Sequence, residues 1–263
     1  MKYNFFFLLI LVLISCSSCS SSQVVNHYKK LNLKGKVSSV KISQFNAVEQ
    51  NGTIIAQKIK PNKYSRAIDN HFYFDRKGNT IERHWLINNV LNRKFLYEYD
   101  NKAFLITKKE YNSRGELDTT LNYSYKLDEK RQIIEQKQIR GDDENDSFRI
   151  SSHFKNGFKI KEELYYPDDD TPVEIRVFDN DKNGRVVKQT ISYSENEIAE
   201  IIMTKYNEDG YPVKITTRYN DRDETEVSKR QYLEFDKKGN CIKILILVND
   251  QPDTILKMEY AYF

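Results

Sequence analysis

The chain is poor in the residues that punctuate or staple a fold: nine glycines, five prolines, three cysteines and one tryptophan in 263 residues. So little glycine and proline excludes a collagenous or low-complexity chain. Three cysteines, two of them at Cys16 and Cys19, exclude a disulfide framework, and Cys241 stands alone. The four histidines, His27, His71, His84 and His153, show no metal-ligand spacing along the sequence. No G-x-S-x-G, H-E-x-x-H or phosphate-cradling glycine loop occurs. Carboxylates such as Glu82, Asp100, Glu162, Glu163 and Glu234 are numerous, but among 38 acids neighbouring pairs arise by chance. Basic residues form no stripe: 42 Lys and Arg are interleaved with the acids, so no nucleic-acid partner is expected. The expectation is a non-enzymatic protein with no catalytic residues, no cofactor and no metal.

Aromatic residues are what the chain has in plenty, with 18 Tyr and 14 Phe. A hydrophobic fraction of 39% beside 30% charge would ordinarily suggest disorder. Disordered chains lack aromatics, however, so this composition reads as an ordered β-rich chain with very polar exposed faces. Helical periodicity is hard to find, and even Glu195 to Met203 fits a strand.

The first 15 residues read as a signal peptide: Met1-Lys2, then an apolar run from Phe5 to Ile14. That run is shorter than the roughly 20 residues that span a bilayer. Leu13-Ile14-Ser15-Cys16 resembles the lipobox of bacterial lipoproteins. The resemblance implies cleavage before Cys16, lipid on its thiol and amino group, and a flexible tether over 16–30. An ordinary cleaved signal, or lipid on Cys19, are the rival readings. No Asp follows Cys16, which implies an outer-membrane lipid anchor, periplasmic-facing or surface-exposed.

Residues 31–70 read as an N-terminal β section, the less regular edge of the sheet that follows, with a first hairpin at Asn51-Gly52. Residues 71–263 carry a repeat. Its aromatic markers are Phe74, Tyr99, Tyr125, Phe154, Phe178, Tyr206, Phe235 and Tyr262, spaced 24 to 29 residues apart. Asp75, Asp100, Asp179, Asn207 and Asp236 follow them, and Gly78, Gly157, Gly184, Gly210 and Gly239 close the turns. Each unit predicts two strands joined by a turn in which Asp accepts backbone hydrogen bonds and Gly takes a positive φ. Within strands, Val213, Ile215, Thr217 and Tyr219 share one face, and Ile242 to Val248 is expected to be the most buried. The acidic runs 142–146 and 168–170 read as solvated loops. The fold expected is all-β, an antiparallel meander of hairpins forming an elongated, curved single sheet or open barrel.

The pattern aromatic-x-aromatic-Asp-x-x-Gly-x-aliphatic, as in Phe72 to Ile81, resembles the YD repeat of Rhs-type proteins over most of residues 72–262. Together with the lipobox and the opening Leu33, Gly35, Val37, Ser39, Val40, it is similar to the YD-repeat-like lipoproteins of Gram-negative anaerobes. In Rhs proteins such repeats form an antiparallel sheet that spirals into a shell around a toxic domain. Here the period is longer, Ala103-Phe104 replaces Gly-Asn, and no toxin domain is expected. Asp179 to Gly184 begins like a calcium loop, but Thr190 stands where an EF-hand needs Glu. The function expected is a lipid-anchored binding or scaffold module for another envelope protein. The alternative is a glycan-binding module that stacks sugars on Trp85 and on exposed tyrosines.

Overall fold

The computed structural model describes residues 31–59, 67–129, 133–140, 149–166, 169–194 and 197–263. The signal, Cys16, Cys19, His27, the whole tether, the run 142–146 and Asp168 lie outside the described residues. The first strands are β1 (Val37–Gln50), β2 (Thr53–Gln57), β3 (Ile68–Phe74), β4 (Thr80–Ile87), β5 (Val90–Tyr99) and β6 (Leu105–Tyr111). Then come β7 (Leu117–Leu127), β8 (Ile133–Arg140), β9 (Arg149–Lys155), β10 (Phe158–Tyr165), β11 (Glu174–Asn180) and β12 (Val186–Ser194). The last are β13 (Glu197–Tyr206), β14 (Pro212–Tyr219), β15 (Glu224–Phe235), β16 (Cys241–Val248) and β17 (Gln251–Tyr262). No described residue is helical.

From β3 to β17 each strand pairs antiparallel with the next, as the meander reading expected. The sheet is not open. β1 pairs antiparallel with β17 from Val37↔Tyr262 to Asn46↔Thr254, and on its other side with β3 from Ser39↔Tyr73 to Ile42↔Asn70. The N-terminal section is therefore no edge but the closing stave of a barrel. β2 takes up the same side of β1 beyond β3, so β2 and β3 are two halves of one stave and the ring has 16. Where that stave breaks, Asp69 Oδ1 accepts from Gln44 N at 2.9 Å, and Gln44 Oε1 accepts from Ile68 N at 3.4 Å. These side chains stand in for the missing ladder bonds at Gln44 and Ile68.

Antiparallel order sends alternate hairpins to opposite rims. The near rim holds the start of β1, the end of β17 and the turns 75–79, 100–104, 181–185, 207–211 and 236–240. Each of these turns is built alike. Asp75 N donates to Asn79 O, Gly78 N donates to Asp75 O, and Asp75 Oδ1 accepts from Lys77 N and Asn79 N at 2.8 and 2.9 Å. Asp100, Asp181 and Asp236 repeat the arrangement, Asn207 repeats it in part, and Asn112 builds it once at the far rim. The residue three on has a positive φ, which glycine adopts freely and which Ala103 holds at 64°. In the fifth unit the turn residue is Asp181, not Asp179, which lies within β11.

A second device recurs with the same period. Near the end of five of the strands that run to the near rim, a tyrosine hydroxyl donates to the carbonyl of the first residue of the preceding strand. Tyr99 reaches Thr80, Tyr125 Leu105, Tyr206 Val186, Tyr232 Pro212 and Tyr260 Cys241, at 2.7 to 3.0 Å. In β11 the amide of Asn180 does the same to Lys159 O at 2.9 Å. A buried phenol needs a partner, and each such bond contributes about 1 kcal/mol.

Strand alternation sorts the side chains into two sets. One holds the core clusters: Val40, Phe72, Ile244, Ile246, Leu256 and Met258 around β1, β3, β16 and β17, and Ile191, Ile202 and Ile215 across β12–β14. The other carries exposed charges such as Glu98, Lys137, Lys205, Lys257 and Glu259. The first set therefore faces inward. Leu245 and Ile255 are exceptions, buried although they alternate outward beside Phe45. β16 is rich in buried residues, with Cys241 and Ile244 to Ile246 all enclosed, as its all-apolar pattern predicts.

A Cβ placed on Gly184, whose φ is +75°, would lie 1.9 Å from the Phe158 ring, whereas one on Gly115 meets nothing within 4 Å. Gly184→Ala is expected to lower stability by roughly 2–4 kcal/mol, and Gly115→Ala by about 1 kcal/mol. Urea unfolding of the two variants measures the difference; equal losses would mean that the turn, not the Phe158 contact, sets the penalty.

Candidate functional site

The inner wall gathers the chemistry. Across β3 to β6, Phe72, Arg83, Phe95 and Glu110 lie in one row of the ladder, and Tyr97 and Lys108 in the next. The Arg83 guanidinium stands between the Phe72 and Phe95 rings, 5.2 and 5.3 Å from their centres. It donates to Asn70 Oδ1 at 3.0 and 2.6 Å and is hydrogen-bonded to the Tyr97 hydroxyl. Lys108 Nζ lies 4.6 Å from the centre of the Phe95 ring. Burial pushes the Arg83 and Lys108 pKa values down and that of Tyr97 up, as expected where cations are held by aromatic faces with little water. Arg93 is paired with Glu110 and, at 2.8 Å, with Asp118. On β4 to β8 the inward positions thus hold Arg83, Arg93, Lys108 and Arg140 against Glu110, with Asp118 reaching Arg93 from the bulge at the start of β7.

Across the barrel the balance reverses. Inward positions on β10 to β15 hold Glu162, Glu174, Glu200, Glu224 and Glu226 against Arg176 and Arg230. Lys159 also reaches Glu162, at 2.5 Å, and Ser152 and Arg176 complete its partners at 3.3 and 3.4 Å. Burial alone would raise the Glu162 pKa, but Lys159 and Arg176 outweigh it and hold the carboxyl below the usual range. Glu200 and Glu226 are raised, by burial above all, and Glu226 further by Asp253 and Glu224. The inner wall is basic and aromatic on one side and acidic on the other.

The near rim is crossed by residues 31–36. Asn240 grips the backbone of Lys34 from both sides, its Oδ1 accepting from Lys34 N at 2.7 Å and its Nδ2 donating to Lys34 O at 2.9 Å. Asn32 donates to Asp209 O, the Lys238 ammonium sits over Tyr262, and Leu31 and Leu33 pack on the core. The chain therefore enters the barrel at its near rim.

The residues singled out from the sequence fall in different places. Trp85 stands on the inner wall in register with Asn70, not on an open outer platform. His71 and His84 are opposite each other across β3 and β4 on the outer face, rings 6.3 Å apart, which their spacing of 13 did not reveal. His71 is bonded to Tyr73 at 2.9 Å and His84 to Glu82 at 2.5 Å. His153 pairs with Glu163 at 2.7 Å. Among the described residues no group of three or more His, Cys, Asp or Glu is placed to hold a metal. Both oxygens of Asp181 are occupied within its own turn, by the amides of Asn183 and Arg185 and by the Arg185 side chain. Glu162 and Glu163 turn to opposite faces. Sequence reasoning missed Arg83, yet the signal was present: Ile81, Arg83 and Trp85 alternate with Glu82 and His84, which places a cation in the apolar set.

No protein-family model matches the chain, and no curated protein matches it. Among solved structures it is similar to a porin-like protein from Bacteroides uniformis ATCC 8492, with a TM-score of 0.54 at 9% identity over 87% of this chain and 99% of that one. A porin-like protein from Bacteroides vulgatus ATCC 8482 aligns at a TM-score of 0.30 and 11% identity, over 86% and 99% of the two chains. The TcdB2-TccC3-TEV structure aligns at 0.32 and 12% identity, over 81% of this chain and 14% of that one. Only the first is close enough in shape to argue from, and at that identity it speaks to the fold.

Glu200 and Glu226 bind protons more tightly folded than unfolded, so the native state holds the extra protons. Stability then falls as pH rises through the window from the ordinary carboxylate value to the raised ones. Glu226→Gln is expected to raise the urea midpoint at neutral pH and to flatten the fall in stability as pH rises above the ordinary carboxylate value. An unchanged slope would show that Glu226 is solvated.

Proposed function

We propose that this chain is a lipid-anchored, non-enzymatic binding module of the cell envelope that receives a protein partner at the far rim and inner wall of its barrel. One observation carries this reading: the outward face of the barrel is charged where a membrane barrel is apolar. A barrel in a bilayer needs an outward apolar band ~25 Å tall. Here the outward set holds Lys41, Glu98, Lys109, Lys161, Lys188, Lys214, Lys229 and Glu259, while the apolar core clusters share the interior with the charges of the inner wall. The barrel wall stands in water, and membrane attachment falls to Cys16. The porin-like description of the solved barrel agrees with an envelope address.

The near rim receives the chain from the tether, so the far rim points away from the membrane. Exposed apolar side chains lie on its hairpins: Ile55, Val90, Leu117, Tyr166, Tyr193 and Ile198. Aliphatic and aromatic tips around charged walls suit a protein surface. A second reading keeps the glycan alternative inside the barrel, where Trp85 has an amide and a guanidinium for neighbours in Asn70 and Arg83. Glycan-array binding lost with Trp85→Ala would favour it.

Photo-crosslinking side chains placed at Val90 and Tyr193 in cells are expected to give discrete protein adducts, and those at Lys109 and Lys188 none. Cys16→Ala is expected to move the chain out of the membrane fraction and to abolish the adducts. Absent rim adducts, or turnover of a glycan or peptide at a rate lost on point mutation, would overturn the proposal.

A further inference from the structure

Buried polar atoms without partners are rare in folded proteins, and each one needs a reason. Among the described residues five are found: Glu200 Oε1, Tyr211 Oη, Ser228 Oγ, and Arg230 Nε and Nη2. Three of them belong to successive inward positions of β15. Ser228 is 2% exposed and Arg230 4% exposed. Ser228 lies in register between Ile215 and Val248, and Arg230 lies opposite Ile246. Their surroundings are thus aliphatic. Tyr232, the next inward residue, hydrogen-bonds to Arg230, and its own pKa is pushed up to about 12, chiefly by burial. Its oxygen gives the guanidinium a neutral partner, which does not balance the charge.

The acids of this wall do not supply that balance. Glu200, Glu224 and Glu226 all sit toward the far rim, beyond Ser228. No ion pair among the described residues includes Arg230, and its Nε and Nη2 are sealed from water as well. A buried cation in this condition is destabilising unless an anion meets it. The pair of atoms left unmet is informative. Nε–H and Nη2–H point in parallel from one edge of the guanidinium, the edge that takes both oxygens of a carboxylate.

We propose that Arg230, with Ser228 beside it, is a carboxylate subsite on the inner wall. A ligand carboxylate accepts two parallel hydrogen bonds from Nε and Nη2 of Arg230 and a third from the Ser228 hydroxyl. Ile215, Ile246 and Val248 exclude water around it, and Tyr232 holds the other side of the guanidinium. The ligand reaches it from the lumen by displacing neighbouring side chains. This subsite rests on the reading of the inner wall as a binding surface, and gives an acidic side chain or chain terminus of the partner its place.

The test is calorimetric titration of the purified full chain with benzoate, benzamide and inorganic phosphate. Saturable benzoate binding without benzamide binding is expected. It should weaken at least roughly tenfold in Arg230→Met and less in Ser228→Ala. The urea midpoint of Arg230→Met is expected at or above that of the parent, since removing the unpaired buried charge strands no carboxylate and leaves the Tyr232 hydroxyl its bond to Pro212 O. A fall in that midpoint would mean that Arg230 is paired within the chain, and would overturn the subsite. So would equal heats from benzoate and benzamide, unchanged binding in Arg230→Met, or phosphate bound in place of benzoate. Rim cross-linking reports on the wider reading separately: adducts without benzoate binding sink the subsite alone, and benzoate binding without adducts sinks the partner.

Discussion

A meander of seventeen strands with one aromatic face has two ends that must not be left as edges, and the β1–β17 ladder is what joins them. An unpaired edge strand is an open template for association. Closing the ring removes it and at the same moment gives the sheet an inside. The features of the site depend on that step. Arg83 can be held between Phe72 and Phe95 because those rings face a shared interior. Arg230 can be buried in an otherwise exposed type of strand for the same reason. Were β1 to leave β17, the core cluster that spans β1, β3, β16 and β17 would be cut through its middle.

Within the ring, two local devices set the register. The Asp turn satisfies three backbone amides at Asp75, Asp100, Asp181 and Asp236, and the tyrosine bond ties β5, β7, β13, β15 and β17 each to the start of the strand before it. Neither device carries function, since both recur. What distinguishes copies is the use made of the residue after the glycine. Asn240 turns its amide to the backbone of Lys34 and fixes the incoming chain, whereas Arg185 in the same place binds back to Asp181. One substitution within a shared frame converts a turn into a docking point. The charge asymmetry of the lumen arises in the same way, from inward positions that the frame leaves free to vary.

The local devices were legible because they are short-range. Asp75, Gly78 and the Asn51-Gly52 hairpin could be read from turn chemistry alone. The misplacement at Asp179 has a physical cause: Phe178 offers the aromatic cue, but Asn180 performs the task of the tyrosine, and the turn starts two residues later than expected, at Asp181. That Trp85 turns inward was not legible, because alternation along β4 does not say which face is enclosed. His71 and His84 were legible as unlike any metal motif along the chain, yet they are neighbours across two strands.

The sequence by itself determined that the fold of the described residues is built of strands, where most of its turns fall, and which residues share a face. These follow from dihedral preference and a period of two, and both act within a few residues. Only the tertiary structure decided that the sheet closes, that the aromatic set turns inward, and that Arg83 and Arg230 are enclosed. Alternation names the members of a face without saying which side it turns to. That choice is made when Val37 meets Tyr262, at opposite ends of the chain, where no local preference reaches.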